Sequence, residues 1–292
     1  MFSVYGDYKE VLRTFIVMQE KSDEDEIPIY DISKVEREFL GSLGVFRQLR
    51  ILNAEVKLFS GRKIGDSKNI HLFNADFPVV ENLFITKNGS VLFHVRKSKR
   101  FEIDEREILK LLSSNFGDIG IIVDMNLGLC TPRIVNFIKR KAKETIARIL
   151  AEDFEKYYNV DYIILNLPTF ERIYKRRIKT ETELFSSLIH FRNILKSNIV
   201  LTWGGKGCIY CGEGEILHVS ALEKSVVNRF GVGDVFLATF AYFRKKDIAE
   251  RLKLCNLACS ISVGKTYPYV NIEEIEDSKH LLDKINVREY RL

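Results

Sequence analysis

Short, continuously apolar runs alternate with amphipathic stretches along most of this chain, and that alternation limits the fold more than any single motif. Ile119–Met125 (IGIIVDM), Asp161–Asn166 (DYIILN) and Asn198–Trp203 (NIVLTW) are bounded, short and apolar except at or near their ends, where the first carries Asp124. Runs of this kind read as strands buried on both faces, the mark of a parallel sheet covered by helices on each side. Ser3–Tyr5 and the AEVKLF run (residues 54–59) add two further strands, the second followed by a glycine turn from Gly61 to Gly65. Helical patterns occupy Phe39–Leu52, Glu107–Ser113 and the segment from Gly231 (GVGDVFLATFAYF). Another helix starts at Pro132, where the missing N–H does no harm. It continues through IVNFIKRKAKETIARIL, with an end that periodicity leaves open.

One segment departs from this rhythm. Glu81–Lys97 (ENLFITKNGSVLFHVRK) has two alternating runs around Asn88-Gly89, the strongest short signal for a β-hairpin. An antiparallel hairpin inserted early in an α/β chain is expected to act as a lid or dimerisation element, to which strands near residues 11–30 can be joined. Five prolines leave no flexible linker, so residues 1–292 read as one domain carrying this lid.

Composition excludes several functional classes. With 45 Lys+Arg against 40 Asp+Glu the net charge is +5, and the positive charge is dispersed. A pI near 8.8 lies below that of a dedicated nucleic-acid binder. No apolar run reaches the ~18–20 residues of a membrane helix, and the opening MFSVYGDYKEVL lacks the basic start and apolar stretch of a signal peptide. The expectation is a cytoplasmic protein with reduced thiols and no nucleic-acid or membrane partner. Cys208-Ile-Tyr-Cys211 and Cys255-x-x-x-Cys259 suggest zinc only superficially. GCIYCGEGEILHV reads as a hairpin, in which residues three apart face opposite ways, so buried, inert cysteines are the better account.

The chemistry concentrates in Asn228-Arg-Phe-Gly-Val-Gly-Asp234 and the apolar helix that follows. Two glycines let the backbone bend and approach a ligand. The freed N–H groups and positive helix end then form an anion site. A carboxylate there is explained if it accepts a proton from a hydroxyl that attacks a bound phosphate. The plainer alternative is an aspartate capping its helix after a glycine turn.

This segment resembles the Gly-Ala-Gly-Asp signature of the ribokinase-like (PfkB) carbohydrate kinases, and other stretches follow in the family's order. Leu201–Tyr210 (LTWGGKGCIY) looks like the nucleotide-side strand and turn, with Thr202, Gly204 and Gly207 matching. Cys255–Lys265 resembles the following helix, with Asn256 at the adenine side, and VYGD looks like the opening strand that places Asp7 on the sugar side. Within the family, VDMNLGLCTPRIVNFI, AEDFEKYYNVDYIILNLPTFERI and NLACSISVGKTYP are most similar to the heptose-7-phosphate kinase domain of ADP-heptose synthases. The resemblance covers roughly residues 3–275.

It implies a three-layer α/β sandwich with a mainly parallel central sheet and a small β lid. It also implies ATP- and magnesium-dependent transfer of a phosphoryl group to a hydroxyl of a sugar or sugar phosphate, by a homodimer joined through the lid. Asp234 would be the base, and Gly231, Val232 and Gly233 the anion hole. Thr202, Gly204, Gly207 and Asn256 would hold the nucleotide. Asp7, Gly41, Gly44 and Arg96 would face the acceptor.

Four departures stand out. The signature's leading Asp is Asn228, and its Thr is Phe230. The magnesium-associated Asn-x-x-Glu reads Asn166-Leu-Pro-Thr169, with Glu171 two positions further on as a substitute beside Asn166. A lysine of the heptose kinases is Leu127. The sugar-side Gly-Gly-x-x-x-Asn block is reduced to Gly41-Ser-Leu-Gly44. These changes leave two alternatives open: a non-catalytic nucleotide- or sugar-binding regulator, and a nucleoside kinase.

Other signals carry less. Gly264-Lys265-Thr266 ends like a P-loop, but the first glycine of that motif would fall at Cys259. The basic run Arg172–Lys179 is a solvated helix face. Arg96 and Lys97, at the basic end of the hairpin, either meet a substrate phosphate or keep an edge strand soluble.

Overall fold

The computed structural model describes residues 1–21, 28–61, 68–75, 79–86, 91–97 and 100–291. The N-terminal third contains β1 (Phe2–Gly6), β2 (Tyr8–Lys21), β3 (Pro28–Gly41), α1 (Ser42–Ile51), β4 (Val56–Ser60), β5 (Ile70–Leu72), β6 (Val79–Thr86) and β7 (Val91–Lys97). The middle comprises α2 (Glu105–Asn115), β8 (Ile119–Asp124), α3 (Pro132–Lys141), β9 (Glu144–Ile149), β10 (Tyr162–Asn166), α4 (Leu167–Tyr174), α5 (Glu181–Leu195) and β11 (Asn198–Thr202). The chain ends with β12 (Cys208–Cys211), β13 (Glu215–Val219), α6 (Val232–Tyr242), α7 (Ile248–Val263), α8 (Ile272–Asp277) and β14 (Val287–Arg291).

Two sheets organise these elements. The larger runs β14-β13-β12-β11-β10-β9-β8-β1-β4-β5 and is parallel from β5 to β11, with three antiparallel strands at the β14 edge. All six residues of β8 are buried, as expected for a strand with both faces covered. Each fully buried Ile or Val here contributes about 1.5–3 kcal/mol of transfer free energy. The smaller sheet runs β3-β2-β6-β7. Its β6–β7 pair is the antiparallel hairpin expected from the sequence, while Asn88-Gly89 and the glycine turn after Gly61 lie outside the described residues. The side chain of Arg96 lies outside them as well.

Two boundaries differ from the sequence reading. The helix expected over Phe39–Leu52 starts only at Ser42, because Phe39–Gly41 end the long strand β3. Gly41, at φ +79°, makes the turn between them. The helix from Pro132 stops at Lys141, where Ala142 is extended (φ −80°, ψ 149°). Glu144–Ile149 is strand β9, paired with β8 and β10. A short apolar run such as TIARIL fits helix and strand equally by periodicity, and its pairing with two buried strands decides the matter.

No described helix is long and apolar enough to cross a membrane. The cysteines are free thiols, four buried and Cys259 partly so. Burial pushes the Cys259 thiol up to about 12 and that of Cys211 to about 11.

Candidate active site

The parallel strands all end on one side of the large sheet, where α/β proteins place their ligands. Gly6 ends β1, Asp124 ends β8, Asn166 ends β10 and Thr202 ends β11, while Arg148 stands next to last in β9. The N-terminus of α6 meets this edge. Gly231 caps the helix in the left-handed region at φ +79°, and the N–H groups of Asp234 and Val235 bond to its carbonyl. The N–H groups of Val232 and Gly233 have no acceptor within the helix, as at any helix start.

Two adjoining cavities flank this turn. One of about 610 Å³ is lined by Val232, Asn256, Cys259, Lys224, Gly204 and Arg229, among others. The second, about 520 Å³, is lined by Gly233, Arg148, Asn166, Thr202, Trp203, Gly204 and Arg229. Gly204 and Arg229 border both, so the two cavities adjoin along one cleft region at the helix start. Of the residues expected on the nucleotide side, Thr202, Gly204 and Asn256 line this cleft. Asn256 also donates two hydrogen bonds, to the carbonyls of Val219 (3.0 Å) and Ser220 (2.9 Å). Gly207 is not a lining residue. At φ +93°, with a Cβ placed 2.0 Å from the Val219 carbonyl oxygen, it is required by the turn itself. Gly231 likewise lines neither cavity; a Cβ there would lie 2.6 Å from Pro268 Cγ.

Asp234 lies just behind Gly233, at 3% exposure. Its Oδ1 accepts from Arg148 Nη1 at 2.5 Å, and its Oδ2 from the Gly41 N–H at 2.8 Å. Burial raises its pKa, opposed by the Arg148 charge and the Gly41 N–H. A Cβ at Gly44 would sit 2.5 Å from Asp234 Oδ2, and one at Gly233 would sit 2.5 Å from Arg148 Nη2. Gly41 and Gly44 therefore converge on the carboxylate.

Asp7 has a different place from the one expected. It is 0% exposed, and its carboxylate accepts the N–H groups of Met125 (2.8 Å), Leu127 (2.9 Å) and Leu129 (3.0 Å). It organises the loop after β8 and presents no oxygen to a ligand. Burial, then the neighbouring Asp124, carries its pKa to about 7 despite those three donors.

Comparison with known proteins adds the family. Residues 136–275 match the model of the pfkB family carbohydrate kinases. Over that stretch, just under half of the chain, the sequence is similar to the PfkB family. It is 24% identical over 187 residues to the bifunctional protein HldE of Campylobacter curvus, covering 60% of this chain and 40% of that protein. To the deoxyribokinase of Salmonella typhi it is 30% identical over 86 residues, 28% of each chain. The chain thus spans less than half the length of the curated relatives it matches. Among solved structures, phosphofructokinase-2 from Escherichia coli in complex with substrates and products aligns with a TM-score of 0.75 at 11% identity, covering 97% and 99% of the two chains. Arabidopsis thaliana ribokinase complexed with ribose and ATP gives 0.71 at 13%, covering 96% and 98%. At such identities these likenesses show the ribokinase-like fold, a large, mostly parallel sheet with a β lid. Kinases of the PfkB family are phosphotransferases with an alcohol acceptor, and they use ATP.

The departures from the PfkB pattern have structural counterparts. Asn228 is 6% exposed, donates to the Thr266 carbonyl (2.8 Å) and accepts the Phe230 N–H (2.9 Å). An aspartate there would lack the donor for Thr266. Phe230, in place of threonine, packs with Val11, Leu40 and Phe15, tying the signature turn to the lid. Leu127 is 4% exposed in the core, so no side-chain cation is supplied from that position.

The residues expected near magnesium do not build a metal site. Asn166 Oδ1 accepts the Thr169 N–H as the cap of α4 (2.9 Å). Glu171 lies outside the 520 Å³ cavity, with Oε1 accepting the Ile178 N–H (2.9 Å) and Oε2 3.5 Å from Arg177. Among the described residues no carboxylate lines that cavity, and no cluster of three or more metal-ligating side chains occurs. A hard cation prefers oxygen anions, whereas the side chains here with formal charge are Arg148 and Arg229. The basic run Arg172–Lys179 borders a separate open cavity, with Arg176 3.5 Å from Glu183 and Arg177 3.5 Å from Glu171.

The sequence reading missed Arg148. Its one signal was a lone charge inside the apolar run TIARIL, and it faces Asp234 from 86 positions away. It also missed Glu38, 1% exposed in β3 and 3.9 Å from the buried Arg13, whose pKa burial raises to about 7.

Proposed function

We propose that this protein is an ATP-dependent carbohydrate kinase that phosphorylates a hydroxyl of a sugar or sugar phosphate, with a heptose phosphate as one candidate acceptor. The observation that carries this reading is the position of Asp234, directly behind the glycine turn at the start of α6 and beside a cleft large enough for a nucleotide. In the reaction the acceptor hydroxyl gives its proton to Asp234 as its oxygen bonds to the γ-phosphorus. The bond from that phosphorus to the β–γ bridging oxygen breaks, and ADP leaves. The Val232 and Gly233 N–H groups meet the charge on the migrating phosphoryl, preorganised by the helix that begins there. The adenine-side end is bordered by Asn256 and Val263, and the phosphate end by Thr202, Trp203 and Arg229. Magnesium enters this scheme as part of the nucleotide substrate.

A kinase assay over a panel of sugars and sugar phosphates, wild type against Asp234→Asn, tests the reading. The expected loss is about 10²–10⁴-fold in kcat, the usual cost of removing a general base. Nucleotide binding, followed through the lone Trp203 in the cleft, is expected to persist. Equal ATP consumption by the two proteins refutes the mechanism.

A second reading, a nucleotide-binding regulator without turnover, is favoured by two observations: the Thr169 substitution and the ion pair that engages Asp234. Binding without turnover of any acceptor in the panel would establish it instead. Pairing of two copies through the smaller sheet, on which Val35 and Val95 are more than half exposed, and a cytoplasmic location belong to the same proposal.

A further inference from the structure

Asp234 is a weaker base while it is paired with a cation, and the partner on Oδ1 is an arginine that itself borders the cleft. Arg148 Nη1 lies 2.5 Å from Oδ1, and the guanidinium crosses Gly233 so closely that a Cβ there would come within 2.5 Å of Nη2. Its side chain keeps 18% of its surface exposed, against 3% for that of Asp234. A guanidinium over a helix N-terminus is opposed by the helix dipole, so its attraction to Asp234 is partly cancelled where it stands. A phosphoryl group at the Val232 and Gly233 N–H groups is favoured by that dipole and offers the planar guanidinium of Arg148 two anionic oxygens to bind bidentately.

We infer that Arg148 is a phosphoryl-triggered latch on Asp234: it holds the carboxylate until a nucleotide enters, then passes its guanidinium to the γ-phosphoryl and frees Asp234 for the acceptor hydroxyl. This rests on the kinase reading and adds a residue to it. The exchange couples the two halves of the cleft, since the base becomes available only once the phosphate to be transferred is in position. It also gives the protein a guanidinium where its cavity lacks a carboxylate for metal. Besides Arg148 and the Gly41 N–H, the groups that act on Asp234 or feel its charge are Lys9 on β2, Glu38 on β3 and Tyr269 before α8. When Arg148 leaves, the buried carboxylate loses its nearest counter-charge and its proton affinity rises.

The test is calorimetric titration of the full chain with the non-hydrolysable analogue adenosine 5′-(β,γ-imido)triphosphate and magnesium at pH 7. Repeating it in buffers of different ionisation enthalpy yields the protons exchanged. Wild type is expected to take up a fraction of a proton on binding, Asp234 becoming more basic while most of it stays ionised to receive the hydroxyl proton. Asp234→Asn is expected to bind with that uptake abolished, which separates Asp234 from Asp7 and Glu38. Arg148→Gln is expected to lose the uptake and to bind about 10- to 100-fold more weakly, the range of one charge-assisted hydrogen bond. Should Arg148→Gln not fold, Arg148→Lys serves, with uptake retained and affinity reduced. Binding by wild type without uptake, or uptake undiminished in Asp234→Asn, overturns the latch and leaves the kinase reading standing. Failure of the analogue to bind wild type overturns both.

Discussion

The two sides of Asp234 are built differently. Toward the cleft lie glycines, helix N–H groups and arginine side chains around open volume, with Gly204 and Arg229 shared by adjoining cavities. Toward the lid the carboxylate is packed against backbone: the Gly41 N–H at 2.8 Å, and the Cα of Gly44, where a Cβ would come within 2.5 Å. Behind that lie buried charges of the smaller sheet, Arg13, Glu36 and Glu38, at 3%, 5% and 1% exposure. The contrast teaches that the cleft side of the helix start is lined by backbone, which tolerates side-chain change, as at Val232. The lid side depends on close steric fit, which does not.

Gly44→Ala should expose that difference most strongly. The added Cβ meets Asp234 Oδ2 at 2.5 Å and the Phe39 carbonyl oxygen at 3.3 Å, so the carboxylate must move. Displacing a catalytic group by around 1 Å costs about 10²-fold, and steady-state kinetics are expected to show that loss in kcat. Gly233→Ala meets only the flexible end of Arg148; an equal kcat loss there would break the comparison.

Asn228→Asp restores the residue that the family resemblance leads one to expect, yet it should destabilise this chain. It sets a carboxylate oxygen against the Thr266 carbonyl now bonded at 2.8 Å. The expected cost is about 1–3 kcal/mol, that of an unsatisfied buried polar group, read from denaturant midpoints with an unchanged m-value.

The smallest effect concerns pH. Burial raises Glu38 to about 7, against an ordinary 4.5. The folded protein therefore keeps a proton that the unfolded chain has lost. The corresponding stability is fully present below the unfolded value and disappears as pH rises through about 7. Glu38→Gln is expected to flatten the fall in Tm between about pH 5 and pH 8, the residual slope coming from Asp7. An unchanged slope would mean that the lid side is less tightly closed than its packing indicates.

Much of the framework could be read in advance. The buried runs that became β8, β10 and β11 are distinctive because a strand covered on both faces must be apolar throughout. The hairpin β6–β7 and the glycine turn before α6 were legible because their conformations need particular residues. The lid was harder: β2 and β3, at 14 residues each, have no tight turn motif among the described residues. Strand β9 was absorbed into the preceding helix because its apolar spacing suits either structure.

Local chemistry in the chain determined where the backbone bends, which segments are buried and where a helix start with free N–H groups meets a carboxylate. Tertiary structure alone decided what that carboxylate touches. Arg148 and Gly41 reach Asp234 from 86 and 193 positions away, and Asp7 is turned to the loop after β8 by donors at least 118 positions along. Electrostatic and hydrogen-bonding energies depend on separation in space, which is set by sheet register and lid packing. Separation along the chain carries almost none of that information.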